Sequence, residues 1–346
     1  MKYRLVLLPL SVVFMLSFYG CEEPLISNKS VSSALEIDPF IQNNKLTRSI
    51  NLGNILEAPE EGAWGLSLQA EYFPIIADAG FTGIRLPVRW SAHADTIAPF
   101  TIDPVFLARV DWAIDQAFEQ HLAIVVNTHH YLEMMNAPAE HIQRLLSIWG
   151  QLATHFADRS DNLILELFNE PNDAFNSDLW NTYLVQIIDT IRVIDSSRTL
   201  MVGTAPWGGI DGLDNLQLPA DSNLIVTVHY YNPFQFTHQG ADWVTGSDGW
   251  LGTTWGSLET DFTDLQNDFQ RIKSWSTEHH RPINMGEFGA YSRAELTSRV
   301  IWTRSIVTLS EDLGFSWSYW EFAAGFGAYD PGKGEWNDIL SALIQN

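Results

Sequence analysis

Residues 122–171 hold the pattern that decides the fold. Leu122-Ala-Ile-Val-Val-Asn127 is a short apolar run, and His129-His130 follow it. Glu140 to Phe156 (EHIQRLLSIWGQLATHF) then carries apolar residues at i, i+3 and i+4, the period of a helix with one buried face. Leu163-Ile-Leu-Glu-Leu-Phe168 is a second apolar run, closed by Asn169-Glu170-Pro171. A run, an amphipathic stretch and another run make a strand–helix–strand unit with parallel strands.

The theme extends in both directions. Further runs are Ser49–Gly53, Gly83–Val88, Thr199–Gly203, Leu224–Val228, Pro282–Met285 and Phe315–Tyr319. Helical periodicity covers Val105–Glu119, Leu179–Ile194, Asp261–Ser276, Leu296–Glu311 and Trp336–Ile344, while Gly208–Leu216 is Gly- and Asp-rich and reads as little more than a turn. Eight runs alternating with helices predict an α/β fold, a single (β/α)8 TIM barrel. A doubly wound open sheet would carry a Gly-rich phosphate loop after its first strand, and Asn51-Leu-Gly-Asn-Ile-Leu-Glu57 is not one.

The 346 residues divide into three parts. Residues 1–20 have a basic start at Lys2 and Arg4 and an apolar run to Phe18, the pattern of a signal peptide. Gly20-Cys21 follows, and Cys21 is the lone cysteine; the pattern resembles a bacterial lipoprotein cleavage site and predicts lipidation there. Residues 21–35 are polar and aperiodic and read as a lipid-anchored tether, leaving 36–346 as the catalytic domain. Removal of Lys2 and Arg4 would take the formal charge from −23 to −25. Such a field disfavours nucleic acid and anionic polymers but does not hinder a neutral substrate. The predicted location is outside the cytoplasm, as a periplasmic or cell-surface lipoprotein or otherwise secreted, with membrane contact through the anchor only and a monomeric state.

Barrel chemistry gathers at the C-terminal strand ends. Those ends carry Asn54 and Glu57, Arg85, His129-His130, Asn169-Glu170, His229 to Tyr231, Glu287 and Trp320-Glu321. The opposite ends read as ordinary turns, such as Asp78-Ala-Gly80. Glu170 and Glu287 fall at matching heights on opposite strands, and two facing carboxyls can divide into acid and base. Arg85 near one of them would keep it ionised, and Glu166, four residues before Glu170, reads as a buried structural partner for Arg85. No metal is expected. His129 and His130 are adjacent and point to opposite faces of a strand, and no His-Glu-x-x-His motif is present. A serine-hydrolase elbow is also missing from the sequence. Trp112, Trp149, Trp180, Trp275 and Trp302 fall in helices and read as core. Trp64, Trp207, Trp243, Trp250, Trp255 and Trp320 fall in loops or strand ends on the active face, where flat rings suit sugars.

Several segments together resemble glycoside hydrolase family five, the cellulase-like retaining glycosidases, over residues 38–345. They are Ile50-Asn-Leu-Gly-Asn54 with Glu57-Ala-Pro59 and Trp64, Gly83-Ile-Arg85 with Pro87, His129-His130, and Asn169-Glu170-Pro171. To these are added His229-Tyr-Tyr-Asn-Pro-Phe-Gln-Phe-Thr-His238 with Trp243, Gly286-Glu287-Phe-Gly289 and Trp320-Glu321-Phe322. The likeness is greatest to a group acting on both β-1,4-glucans and β-mannans. It implies Glu170 as acid/base, Glu287 as nucleophile, and a substrate-binding shell of Asn54, Glu57, Trp64, Arg85, His129, His130, Asn169, His229, Tyr231, His238, Trp243 and Trp320. It further implies that Tyr231 and Arg85 hold Glu287 as a carboxylate, that Asn169 binds a sugar 2-hydroxyl, that Trp320 and Glu321 are joined by a cis peptide, and that no cofactor is needed. The expected activity is an endo-β-1,4-glucanase, with an endo-β-1,4-mannanase or dual enzyme as the alternative. Less favoured are an exo-β-glucosidase and a non-catalytic glycan-binding lipoprotein.

Overall fold

The computed structural model describes residues 1–2 and 37–344. The signal, the tether and Cys21 lie outside the described residues, apart from Met1 and Lys2. Among the described residues no helix is long and apolar enough to cross a membrane.

From residue 37 the chain forms one compact unit. It opens with helix α1 (Pro39–Lys45), whose N-cap Asp38 accepts a hydrogen bond from the Phe40 amide, with Pro39 in the first turn. Eight parallel strands follow: β1 (Arg48–Asn51), β2 (Gly83–Leu86), β3 (Ala123–Asn127), β4 (Leu163–Glu166), β5 (Leu200–Val202), β6 (Leu224–Tyr230), β7 (Ile283–Phe288) and β8 (Ser316–Tyr319). They close in sequence order, β8 pairing with β1. The expected (β/α)8 barrel is the fold.

The helices between strands include α2 (Tyr72–Asp78), α3 (Pro104–Glu119), α4 (Leu132–Asn136), α5 (Pro138–Phe156), α6 (Ser177–Arg192), α7 (Phe234–Thr237), α8 (Glu259–His279) and α9 (Leu296–Leu313). After β5 the connection is a short 3-10 segment, Ile210–Asn215, as its Gly-rich sequence predicts. The expected helix Trp336–Ile344 is mostly absent. Trp336 sits in a small hairpin, β9 (Tyr329–Asp330) with β10 (Glu335–Trp336), and only α10 (Leu340–Leu343) is helical. The apolar spacing there has another cause: Trp336 packs on Phe81, Phe322 and Tyr329.

Period-two alternation divides each strand between two cores. Ile84, Leu86, Leu163, Leu165, Leu224 and Val226 belong to the large core shared with the helices. Val125, Ile164, Met201 and Ile225 form a second cluster with Leu46 and Ala123. Next to it the buried residues become polar. Asn43 of α1 donates to the Ile283 carbonyl at 3.0 Å and accepts from Ser316 Oγ at 2.7 Å. Asn284 in turn donates to Ser316 Oγ at 2.7 Å. Thus α1 is tied to β7 and β8 by buried hydrogen bonds.

Replacing Asn43 with Ala removes the side-chain donor to the Ile283 carbonyl and leaves the buried Ser316 hydroxyl without its acceptor. A buried polar group left unpaired costs about 1–3 kcal/mol. Denaturant unfolding of Asn43→Ala should therefore show a midpoint lowered by that amount with the slope unchanged.

Candidate active site

Arg85 stands at the centre of the site. It lies on β2, with Ile84 and Leu86 turned to the outer core, and it has no solvent exposure. Its five N–H donors are all engaged. Nε and Nη2 hold the two oxygens of Glu166 at 2.6 and 2.7 Å, a bidentate pair. Nη1 reaches Glu287 Oε1 at 2.7 Å and Asn51 Oδ1 at 2.8 Å, while Nη2 also reaches Asn169 Oδ1 at 2.6 Å. Glu166 thus acts through Arg85. Asn51, which the sequence reading passed over, spends its amide hydrogens on the carbonyls of Gly286, Ser318 and Tyr319.

A guanidinium can only donate, so Asn169 must present its oxygen to Arg85. Its Nδ2 is left as a donor beside Glu170. Similar reasoning fixes His129. Asn127 Oδ1 accepts from the Val88 amide, so Asn127 Nδ2 donates to His129 Nδ1 at 3.0 Å and the His129 proton sits on Nε2. Burial, with His130 and Arg85 nearby, holds His129 well below the usual imidazole value, so it is neutral.

Glu170 lies four residues beyond the end of β4, and Glu287 lies inside β7. A carboxylate oxygen of each and a ring nitrogen of His229 all lie within 4.8 Å of one another. His229 Nδ1 is 2.6 Å from Glu170 Oε1 and 3.6 Å from Glu287 Oε2. Glu287 also accepts from the Tyr231 hydroxyl at 3.0 Å. The side chain of Glu287 is 6% exposed and that of Glu170 is 21% exposed, so the acid/base candidate is the one open to solvent.

Burial raises the Glu287 carboxyl above its ordinary value; the charges of His229 and Arg85 pull against this and do not fully offset it. Burial lowers His229, but the Glu287 and Glu170 carboxylates outweigh it and the imidazole is raised. Burial pushes His130 and His238 down to about 4, against the charge of Glu170, so both are neutral near pH 7. Glu170, His229 and Glu287 are close enough to serve as metal ligands. Each oxygen of Glu287 accepts one hydrogen bond, from Arg85 and from Tyr231.

Trp320 forms a wall of the site. Its ring lies parallel to His129, centroids 5.8 Å apart, and over Gly53, where a Cβ would come within 2.8 Å of the indole. The cis peptide expected between Trp320 and Glu321 is present. Two buried carboxyls hold the adjoining loops. Glu57 accepts from the Asn54 and Ile55 amides, and Glu321 from the amides of Ala323, Ala324 and Phe326. Burial pushes Glu57 up to about 8 and Glu321 up to about 7, the backbone donors opposing it. Glu57 has no exposed surface, so it shapes the Asn54 turn and is not placed to touch substrate.

An open cavity of about 650 Å³ runs out from Glu170 past His229 and Tyr231 to Trp207, Trp243 and Phe234. Trp64, Trp207 and Trp243 are exposed by 44%, 57% and 58%. Trp64 meets His130 edge-on at 5.7 Å, and Trp243 meets His238 at 6.5 Å. Trp255 does not join this set: it is 3% exposed, packed against Phe262 and part of the core. Phe234 was not singled out from sequence, although it stands in the quoted run after His229.

A closed eight-stranded barrel with two carboxylates facing each other at the strand ends has the architecture of the barrel glycoside hydrolases. The chain belongs to the cellulase family, glycosyl hydrolase family 5, whose model matches residues 48–325. Endoglucanase H of Acetivibrio thermocellus is 34% identical over 321 residues, covering 90% of this chain and 34% of that protein. The chain thus spans about a third of that relative's length, and about half (51%) of Endoglucanase 3 of Fibrobacter succinogenes. Among solved structures, Cel5A of Thermotoga maritima in complex with cellobiose is 48% identical, with a TM-score of 0.88 over 89% of this chain and 100% of that one. The same enzyme with mannotriose matches equally well.

The raised Glu287 gives a testable sign. Glu287 can act as the candidate nucleophile only when ionised, so in that role kcat/KM should fall as pH drops through its value, above the ordinary value of 4.5. His229 is one of the charges pulling that value down. In His229→Ala the acid limb of the kcat/KM profile should move to higher pH; a limb that stays or moves lower contradicts the coupling.

Proposed function

We propose that this chain is an endo-β-1,4-glucanase that cleaves by retaining double displacement and also accepts β-1,4-mannan. The observation that carries the reading is the closeness of the two carboxylates, with oxygens within 4.8 Å. Retaining enzymes hold the pair about 5–5.5 Å apart, whereas inverting enzymes leave about 6.5–9.5 Å for a water. Glu287, held by Arg85 and Tyr231, attacks the anomeric carbon while Glu170 protonates the leaving oxygen. Glu170, the more exposed of the two, then takes a proton from the incoming water.

Asn169 Nδ2 is the donor for an equatorial 2-hydroxyl, and neutral His130 or His238 meets an axial one. One neutral hydrogen bond contributes about 0.5–1.5 kcal/mol, so glucose and mannose units are discriminated by about tenfold or less. The exposed rings of Trp64 and Trp243, with Trp320 between the loops, suit an extended neutral chain better than a single sugar. Cel5A, the relative solved with both cellobiose and mannotriose, supports the breadth of this reading. We also propose export from the cytoplasm with a lipid on Cys21, supported by the lone cysteine after an apolar run. Cys21→Ala should then leave the membrane fraction, and a variant still bound there contradicts the anchor.

Cellohexaose, mannohexaose, barley β-glucan and xylan should be compared side by side, with proton NMR following the first product. The expected outcome is internal cleavage of the first three with the β-anomer appearing first. Glu170→Ala should spare activated aryl glycosides far more than cellohexaose, and Glu287→Ala should abolish both. The α-anomer as first product, or rapid cleavage of xylan alone, contradicts the reading.

A further inference from the structure

A second cavity, about 560 Å³, adjoins the catalytic cleft and shares Tyr230, Asn232 and Phe234 with it. It lies between the loop after β6 and the first half of α8, and its volume falls within the range of ligand pockets, about 300–1,000 Å³.

Phe234 is the partition. On the cleft side its ring stacks on His238, centroids 4.0 Å apart and planes 19° apart. Its ring is 41% exposed, and it also lines the side cavity. Beyond it stand the polar groups of Gln235, Asn232, Asp264 and Asp268. Tyr230 at 2.8 Å and Asn232 Nδ2 at 3.4 Å both donate to Asp268 Oδ2, fixing that carboxylate, so Oδ1 is the oxygen left to accept. Gln235 and Asp264 are exposed, and both are available to hydroxyl groups. An aromatic face beside amides and carboxylates is the equipment for a neutral sugar: the ring takes the C–H face and the acceptors take the hydroxyls. The same carboxylates repel an acidic sugar.

The direction follows from the catalytic pair. In the proposed mechanism Glu170 protonates the leaving oxygen and Glu287 attacks from the other side; the cavity that reaches Phe234 is lined by Glu170 and not by Glu287, which puts Phe234 on the leaving-group side. We propose that the cavity between the β6 loop and α8 receives a neutral single-sugar branch carried by the polysaccharide unit on the leaving-group side of the scissile bond. This rests on the β-1,4-glycanase reading and extends it to branched chains.

The test uses the full chain with cellohexaose and mannohexaose as unbranched probes and xyloglucan and galactomannan as neutral branched probes. Wild type should cut the branched polymers and yield fragments whose new non-reducing terminal unit carries a branch. The double variant Gln235→Ala/Asp264→Ala should lose roughly three- to tenfold in kcat/KM on branched probes, through KM, and keep its rate on cellohexaose. Asp264→Trp, which fills the cavity, should reproduce that selectivity. If cellohexaose is not cut, the glycanase reading itself fails. If it is cut but branched polymers yield only unbranched new ends, or the variants affect both classes equally or neither, the side-cavity assignment is overturned.

Discussion

A fully buried guanidinium can exist only if every charge and donor on it is answered. Arg85 meets this condition with two carboxylates and two amide oxygens, and those four partners come from β1, β4, β7 and the turn after β4. Removing one partner of such a pair costs about 3–5 kcal/mol, because it strands a charge away from water. The positions of Glu287 and Asn169 are therefore set by the same ion that makes the barrel interior tolerable. Burial and the charge of Glu170 raise Glu287 while His229 and Arg85 lower it, so its acidity depends on His229 and Arg85 together.

The loops above the barrel follow a related rule on a smaller scale. Glu57 and Glu321 are buried carboxyls whose partners are backbone N–H groups and not cations. Each converts an irregular loop into a fixed surface, one at Asn54 and Gly53 and the other at Phe326. Phe326 lies within 5.6 Å of His238 and 6.2 Å of Tyr231, centroid to centroid, so the loop held by Glu321 backs the tyrosine that bonds Glu287. Trp320 stands between these two supports, and Gly53 is the position where any side chain would collide with it.

The barrel was legible because its parallel strands are buried on both faces and so stand out as apolar runs, as at Leu122–Asn127 and Leu163–Phe168. The site was legible as residue types at strand ends, and the family likeness supplied their roles. What failed to show had local causes. Helix α1 docks through Asn43 and Gln42, polar residues that periodicity does not count as core. Trp336 mimicked a helical period because aromatic packing, not a helix, fixed its spacing. Glu57 and Trp255 carry the chemistry of sugar contacts, and only the burial of each reveals a structural task. Asn51 carries no chemical signature at all; its importance lies in the carbonyls of β7 and β8 that it meets.

The central claim is that Arg85 delivers Glu287 as the attacking group. Covalent labelling with a 2-deoxy-2-fluoro-β-cellobioside bearing a dinitrophenyl leaving group measures this step directly. The account predicts one label per chain, on Glu287, and a labelling rate lower by roughly a hundredfold or more in Arg85→Lys, since a lysine cannot span Glu166, Glu287 and Asn169 at once. A label on any other carboxylate, or an Arg85→Lys protein labelled at the wild-type rate, would contradict it.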